Sequence, residues 1–212
     1  SAHGVLPEMQ SLWNDAQAAT IEREQGQLGL RVYTSRLLGS DPDLVLHGGG
    51  NTSLKEPRLD VFGDAIDTLY VKGSGWDLKT IEAAGFPPVD RAQLLRLGEL
   101  DSLSDTQMMS ELRRALLDPT APTPSVEAIL HALIPLRFVD HTHTDAVVTL
   151  SNSRGGRERL EAIFARRARD ARVKRTKCTT LSHDYSDDTS RRVAPLLWYL
   201  LSPSRITASS CP

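Results

Sequence analysis

The segment Asp140-His141-Thr142-His143 places two imidazoles two residues apart. On a strand, residues at that spacing point to the same face, so the pair presents its ring nitrogens side by side; on a helix the two would diverge. Two neutral imidazoles so arranged suit Zn²⁺ or a similar divalent ion. The other reading is a pair of polar residues closing a strand. Upstream, Glu127 falls in the first turn of an expected helix, one turn before His131 on a shared flank. A carboxylate there complements the helix dipole, or, beside a metal, acts as general base on a polarised substrate. Two glycine-rich turns, Gly48–Ser53 and Gly73–Gly75, each follow an expected strand. Consecutive backbone N–H groups in such turns cradle anions, phosphate most often, although a tight turn needs glycine for its own sake. Neither turn is a nucleotide loop: GxxxxGKS/T is absent, and Ser53 and Leu78 occupy the third glycine positions of GxGxxG.

Other chemistry has less support. No GxSxG elbow is present for a serine hydrolase. Cys178 sits among Lys174, Arg175 and Lys177, which would depress its pKa, but a thiol in a basic segment is ordinarily inert. The basic run 166–177 has no interleaved aromatics and reads as a solvated surface rather than a nucleic-acid site.

Elements must position these groups. Apolar spacing predicts a helix over 8–38, interrupted or bent at Gly26 and Gly29 and stopped by Gly39-Ser40-Asp41-Pro42. Strands are expected at Leu44–Leu46, Asp60–Phe62 and Thr68–Lys72, and a short helix opening at Trp76-Asp77-Leu78. Helical pieces follow over about 91–97 and 105–117. Thr123 caps a further helix with Pro124 in its first position and Val126, Ile129, Leu130, Leu133 and Ile134 as its apolar stripe. Phe138–Leu150, rich in Val and Thr, reads as a central strand. Alternating strands and helices give an α/β layered class.

Composition narrows the function classes. The chain has 212 residues, 40% hydrophobic and 25% charged, enough for one good-sized domain or two small ones. A net charge of −2 argues against a polyanion-binding role. No apolar run approaches the ~20 residues of a membrane helix, and no signal-peptide pattern opens the chain, so the expectation is a soluble, cytoplasmic protein without nucleic-acid or membrane partners. Two cysteines, Cys178 and Cys211, make neither a disulfide framework nor a metal site alone. Charge is unevenly spread: residues 1–150 carry a net −9 and residues 151–212 a net +7. Beyond Ser151 the strand–helix pattern fades.

Gly49-Gly50-Asn51-Thr52-Ser53, Lys72-Gly73-Ser74-Gly75, Pro124-Ser125-Val126-Glu127 and His141-Thr142-His143 occur in this order. Together they resemble the class II aldolase/adducin family, and within it the rhamnulose-1-phosphate-aldolase-like domain of proteins that join it to a short-chain dehydrogenase. The likeness covers about residues 10–153. It implies a three-layer α/β/α domain on a mainly antiparallel sheet, a homotetramer with sites between subunits, and one divalent ion, commonly Zn²⁺, held by three histidines. By that resemblance His141 and His143 are ligands, Glu127 is the acid/base carboxylate, and Gly50, Asn51, Ser74, Gly75 and Ser125 line a phosphate pocket. Val126 stands where several phosphate-binding members carry a hydroxyl. The family's third histidine lies in a downstream His-Gly segment that is absent here, which leaves His183 as its candidate. The expected organisation is an aldolase-like domain over 1–153 and a divergent basic segment over 154–212, which a shifted reading frame, a truncation or a genuine divergence from the family would each explain. The implied activity is cleavage of a ketose 1-phosphate, such as rhamnulose or fuculose 1-phosphate, to dihydroxyacetone phosphate and an aldehyde. The alternatives are sugar-phosphate epimerisation or dehydration, and a non-catalytic, adducin-like binding domain.

Overall fold

Asn14 opens the first helix by accepting the Gln17 N–H on its side chain, so α1 (Asp15–Gly39) begins after Leu12 and Trp13 rather than including them. Gly26, with φ at +67°, breaks the helix into two parts, a conformation that glycine adopts without a steric penalty; Gly29 stays helical. These elements come from a computed structural model of the chain, which describes residues 11–163. The chain divides after Asp145 into two units.

After α1 the first unit carries β1 (Asn51–Lys55), a hairpin of β2 (Arg58–Leu59) and β3 (Ala65–Ile66), and β4 (Thr68–Val71). Next come β5 (Pro88–Asp90), α2 (Arg91–Leu97), α3 (Asp105–Arg114), α4 (Ala128–Leu133) and β6 (Phe138–His141). Four strands form one sheet in the order β5-β4-β1-β6, and each of its pairings is antiparallel.

Strand β4 shows how the sheet is covered. Leu69 and Val71 point one way, into a buried cluster with Val89, Leu94, Leu112, Ala115, Ala128 and Ala132 drawn from β5 and the region of α2, α3 and α4. Tyr70 points the other way, as the two-residue period requires, and packs with Val45, Leu78, Ile81 and Phe86 beside Leu28 and Val32 of α1.

Several expected elements are replaced by turns, each with a local cause. At 44–46 the Asp41 side chain accepts the Asp43 N–H, and its carbonyl accepts from Leu44 and Val45, so a turn forms instead of a strand. Asp60 accepts from Phe62 and Asp64 in the same way; residues 60–62 are thus the tip between β2 and β3. Trp76–Leu78 forms a turn rather than a helix, with Asp77 accepting from Lys79. Helix α3 stops at Arg114 because Leu116 and Leu117 are drawn onto the edge of β5, through a bridge to Val89 and a bond to the Pro88 carbonyl.

Two corrections bear on the site. Residues 123–125 do not open a helix: Pro124 bridges to Gly73, Ser74 N–H donates to the Thr123 carbonyl, and Ser125 N–H to that of Lys72. Helix α4 starts at Ala128, and Glu127 becomes its N-cap residue. The strand read over Phe138–Leu150 ends at His141. Its partner β1 starts at Asn51, opposite His141, and beyond that point His143 and Asp145 bond to the carbonyls of Leu44 and Asp43. The chain then enters α5 (Asp145–Ser151).

In the second unit a helical segment begins at 156 and runs to 163. Cys178, His183 and the basic run 166–177 lie outside the described residues. Among the described residues no helix is long and apolar enough to cross a membrane.

Candidate functional site

His141 ends β6 and lies opposite Asn51, the first residue of β1. Asn51 is fully buried, and its side-chain amide donates to Glu127 Oε2 at 2.9 Å. The other carboxylate oxygen stands 3.1 Å from His141 Nδ1. The ring centroids of His141 and His143 are 4.8 Å apart. A ligand atom from each of Glu127, His141 and His143 thus lies within 4.8 Å of the others. Although close to Glu127, His141 Nδ1 is buried and makes no aligned hydrogen bond. One carboxylate oxygen and two imidazole nitrogens converging, with a ring nitrogen unspent, is a donor set that fits a divalent ion of the zinc type.

Burial alone would raise the Glu127 pKa. Contacts with His141 and Asn51, and the charges of His141 and His131, outweigh it and hold the carboxyl at about 2. Glu127 is therefore ionised at neutral pH.

A buried polar layer backs these groups. His131, on α4 and fully buried, shares a hydrogen bond with Ser53 Oγ at 2.8 Å. Burial drives its pKa down to about 4 against the pull of Glu127, so the ring is neutral. On the opposite face of β1, Thr52 meets Ser35 of α1 at 2.8 Å. Arg31, 1% exposed, pairs with Asp140 at 2.6 Å, next to His141 in sequence. The same guanidinium donates to Ser35 Oγ and the Ser53 carbonyl, fixing the histidine strand to α1. Lys72 Nζ donates to the Gly48 carbonyl at 2.9 Å; burial lowers its pKa, with Glu127 and Asp77 opposing.

The fold therefore brings Glu127, His141 and His143 together. His143 reaches His141 from beyond the strand end rather than by alternation within it. Gly50 is buried at the start of β1, and Asn51 is committed to Glu127. Ser74 and Gly75 are exposed, and Ser125 is half-buried with its hydroxyl accepting the Glu127 N–H. His183 lies outside the described residues. Sequence reasoning did not assign roles to Arg31, Asp140 or Lys72, and Ser53, expected as a donor in the glycine-rich turn, is buried against His131. For Lys72 a signal was present: a lysine ends the apolar run Leu69-Tyr70-Val71 directly before a glycine turn.

Comparison with known proteins identifies relatives of the chain. The family described as "Class II Aldolase and Adducin N-terminal domain" matches residues 30–196. The chain is 36% identical over 156 residues, 74% of its length, to "Uncharacterized oxidoreductase YuxG" of Bacillus subtilis (strain 168), and it spans only 22% of that protein's length. Among solved structures it resembles the N-terminal class II aldolase domain of a conserved protein from Thermoplasma acidophilum. That match has 38% identity and a TM-score of 0.65, covering 74% of this chain and 70% of the other.

Proposed function

Given that the chain belongs to the class II aldolase and adducin family, we propose that it carries an aldolase-type lyase site on a three-layer α/β/α domain. The proposed reaction cleaves a ketose 1-phosphate to dihydroxyacetone phosphate and an aldehyde. The observation that carries this reading is the convergence of Glu127, His141 and His143 within 4.8 Å. His141 and His143 would hold a divalent ion, with Glu127 close enough to join them. Such an ion supplies Lewis acidity, polarising the ketose carbonyl and stabilising negative charge on the substrate oxygens as the carbon–carbon bond breaks.

The chain's own groups do the rest. Asn51 holds the Glu127 carboxylate in place through its amide, and Glu127, ionised at neutral pH, is in the state a base requires. In the condensation direction it takes the proton from the carbon beside the carbonyl and the new hydroxyl gains one; in cleavage the hydroxyl that becomes the aldehyde oxygen gives up its proton and Glu127 passes one to that carbon. Neutral His131, bonded to Ser53, adds no competing positive charge behind the site. Ser74, Gly75 and Ser125, brought together by the pairing of 123–125 with 72–74, are proposed to receive the substrate phosphate. The proposal includes assembly as a homotetramer.

The test is metal content. Purified protein reconstituted with zinc should hold one ion per chain by elemental analysis, and His141→Ala should abolish it. A wild-type protein that retains no ion after reconstitution would overturn the lyase reading.

A further inference from the structure

The glycine-rich turn before β1 is backbone under tension. Gly49 N–H closes it on the Leu46 carbonyl at 2.8 Å. Its two central residues, His47 and Gly48, both have positive φ, +43° and +76°. Gly48 adopts that conformation without penalty, but His47 does not: a side chain with Cβ in the left-handed region costs on the order of 1 kcal/mol and persists only where neighbours hold it.

The turn also touches both candidate ligands. A Cβ on Gly49 would stand 3.3 Å from His143 Nδ1, and one on Gly50 would stand 2.9 Å from the His141 carbonyl oxygen. Gly50 has φ at +68° as well. The turn thus lies against the His143 ring on one side and the His141 backbone on the other.

What holds the turn is Lys72, 6% exposed, whose ammonium donates to the Gly48 carbonyl at 2.9 Å. Burying an ammonium is costly, and Met would fill the same space without that cost. Among the described residues no carboxylate reaches ion-pair distance of this nitrogen, so the charge is not there to complete a salt bridge. Its one hydrogen-bond partner is the carbonyl at the centre of the strained turn.

We propose that Lys72 is a positioning residue for the metal site: by clamping the Gly48 carbonyl it fixes the turn that sets the spacing of His141 and His143. The inference rests on the metal-binding reading above but concerns the histidine geometry, which exists without metal.

Two measurements on the full chain separate the two ideas. In metal-free protein, imidazole ¹H–¹⁵N spectra of Lys72→Met should show shifted His141 and His143 resonances with His131 unmoved. Zinc titration of the same variant should give at least ~10-fold weaker binding, the scale on which groups supporting a metal ligand act. Lys72→Arg, which retains a donor for the Gly48 carbonyl, should bind zinc within about threefold of wild type. Lys55→Met is the control, because Lys55 makes a similar bond to the Leu136 carbonyl at the other end of β1; it should leave both histidines and zinc affinity unchanged. Lys72→Leu, which likewise lacks a donor, takes the place of the Met variant if the latter does not fold. Unshifted His141 and His143 resonances in whichever variant folds would overturn the proposal. Wild-type protein that binds no zinc would instead overturn the lyase reading, and the metal-free spectra would still decide the role of Lys72.

Discussion

The two halves of the central sheet are built on different chemistry. The β4–β5 half faces Leu94, Leu112, Ala128 and Ala132 with Leu69, Val71 and Val89, an unbroken apolar cluster. The β1–β6 half buries Asn51, Thr52 and Ser53 in succession, and packs them against His131, Ser35 and Arg31. Burial of apolar surface is non-directional and tolerant of small shifts. A buried polar group demands a partner at a set distance and angle, so the polar half fixes geometry at the expense of stability. Glu127, His141 and His143 all emerge from the polar half or its edge. The difference teaches a division of labour: one half supplies the folding free energy, and the other holds a few polar atoms in register.

The sharpest way to break that comparison is to change the site without touching the core. Glu127→Gln preserves size and the capacity to bond Asn51 but removes the ionised carboxylate. Under the proposed function, turnover of a ketose 1-phosphate should fall by ~10²–10⁴-fold while the unfolding midpoint stays near wild type. Turnover equal to wild type would return Glu127 to a helix-end charge.

The opposite experiment lies in the apolar half. Leu112 is fully buried within its cluster, so Leu112→Ala should cost about 3 kcal/mol in chemical denaturation. Turnover per folded molecule should be unchanged, since no site residue contacts are removed. A variant of ordinary stability with impaired turnover would mean that the two halves are not separable in this way.

The same division explains what could be read from the amino-acid order. The helices expected at about 91–97 and 105–117 and the strand expected at 68–72 form over 91–97, 105–114 and 68–71, the helices opened by the Asp90 and Ser104 side chains. These signals are local. The family motifs, likewise local, singled out Glu127, His141 and His143. Misread segments were governed by hydrogen bonds made at a distance or by side chains that close turns. Thr123-Pro124 has the composition of a helix start, yet it pairs with Gly73 and Ser74 from far away in the chain. Ala146–Leu150 has the Val and Thr content of a strand, but β1 offers no residue to pair with it beyond Asn51. The pair of buried Arg31 and exposed Asp140 is more than a hundred positions apart in sequence and has no periodic signature at all. Charge pairs and polar layers of this kind are set by register, and register was not legible before the strands were placed.

The smallest expected effect sharpens the comparison through pH. His131 has an ordinary unfolded-state pKa of 6.5 and a folded value of about 4, lowered by burial. Between those values the unfolded chain takes up a proton that the folded chain refuses, so stability falls as pH drops from 6.5 towards 4 and is unaffected by this group above that window. From pH 7 to pH 5.5 the loss is about 1 kcal/mol by the same linkage. Urea unfolding of wild type at the two pH values should show it, and His131→Gln, which does not titrate, should lack that part of the decline. Leu112→Ala, by contrast, should show the same destabilisation relative to wild type at both values, because nothing in its apolar cluster changes charge. If wild type and His131→Gln decline equally between pH 7 and 5.5, the buried histidine is not held neutral, and the polar half of the sheet is more open to water than its packing indicates.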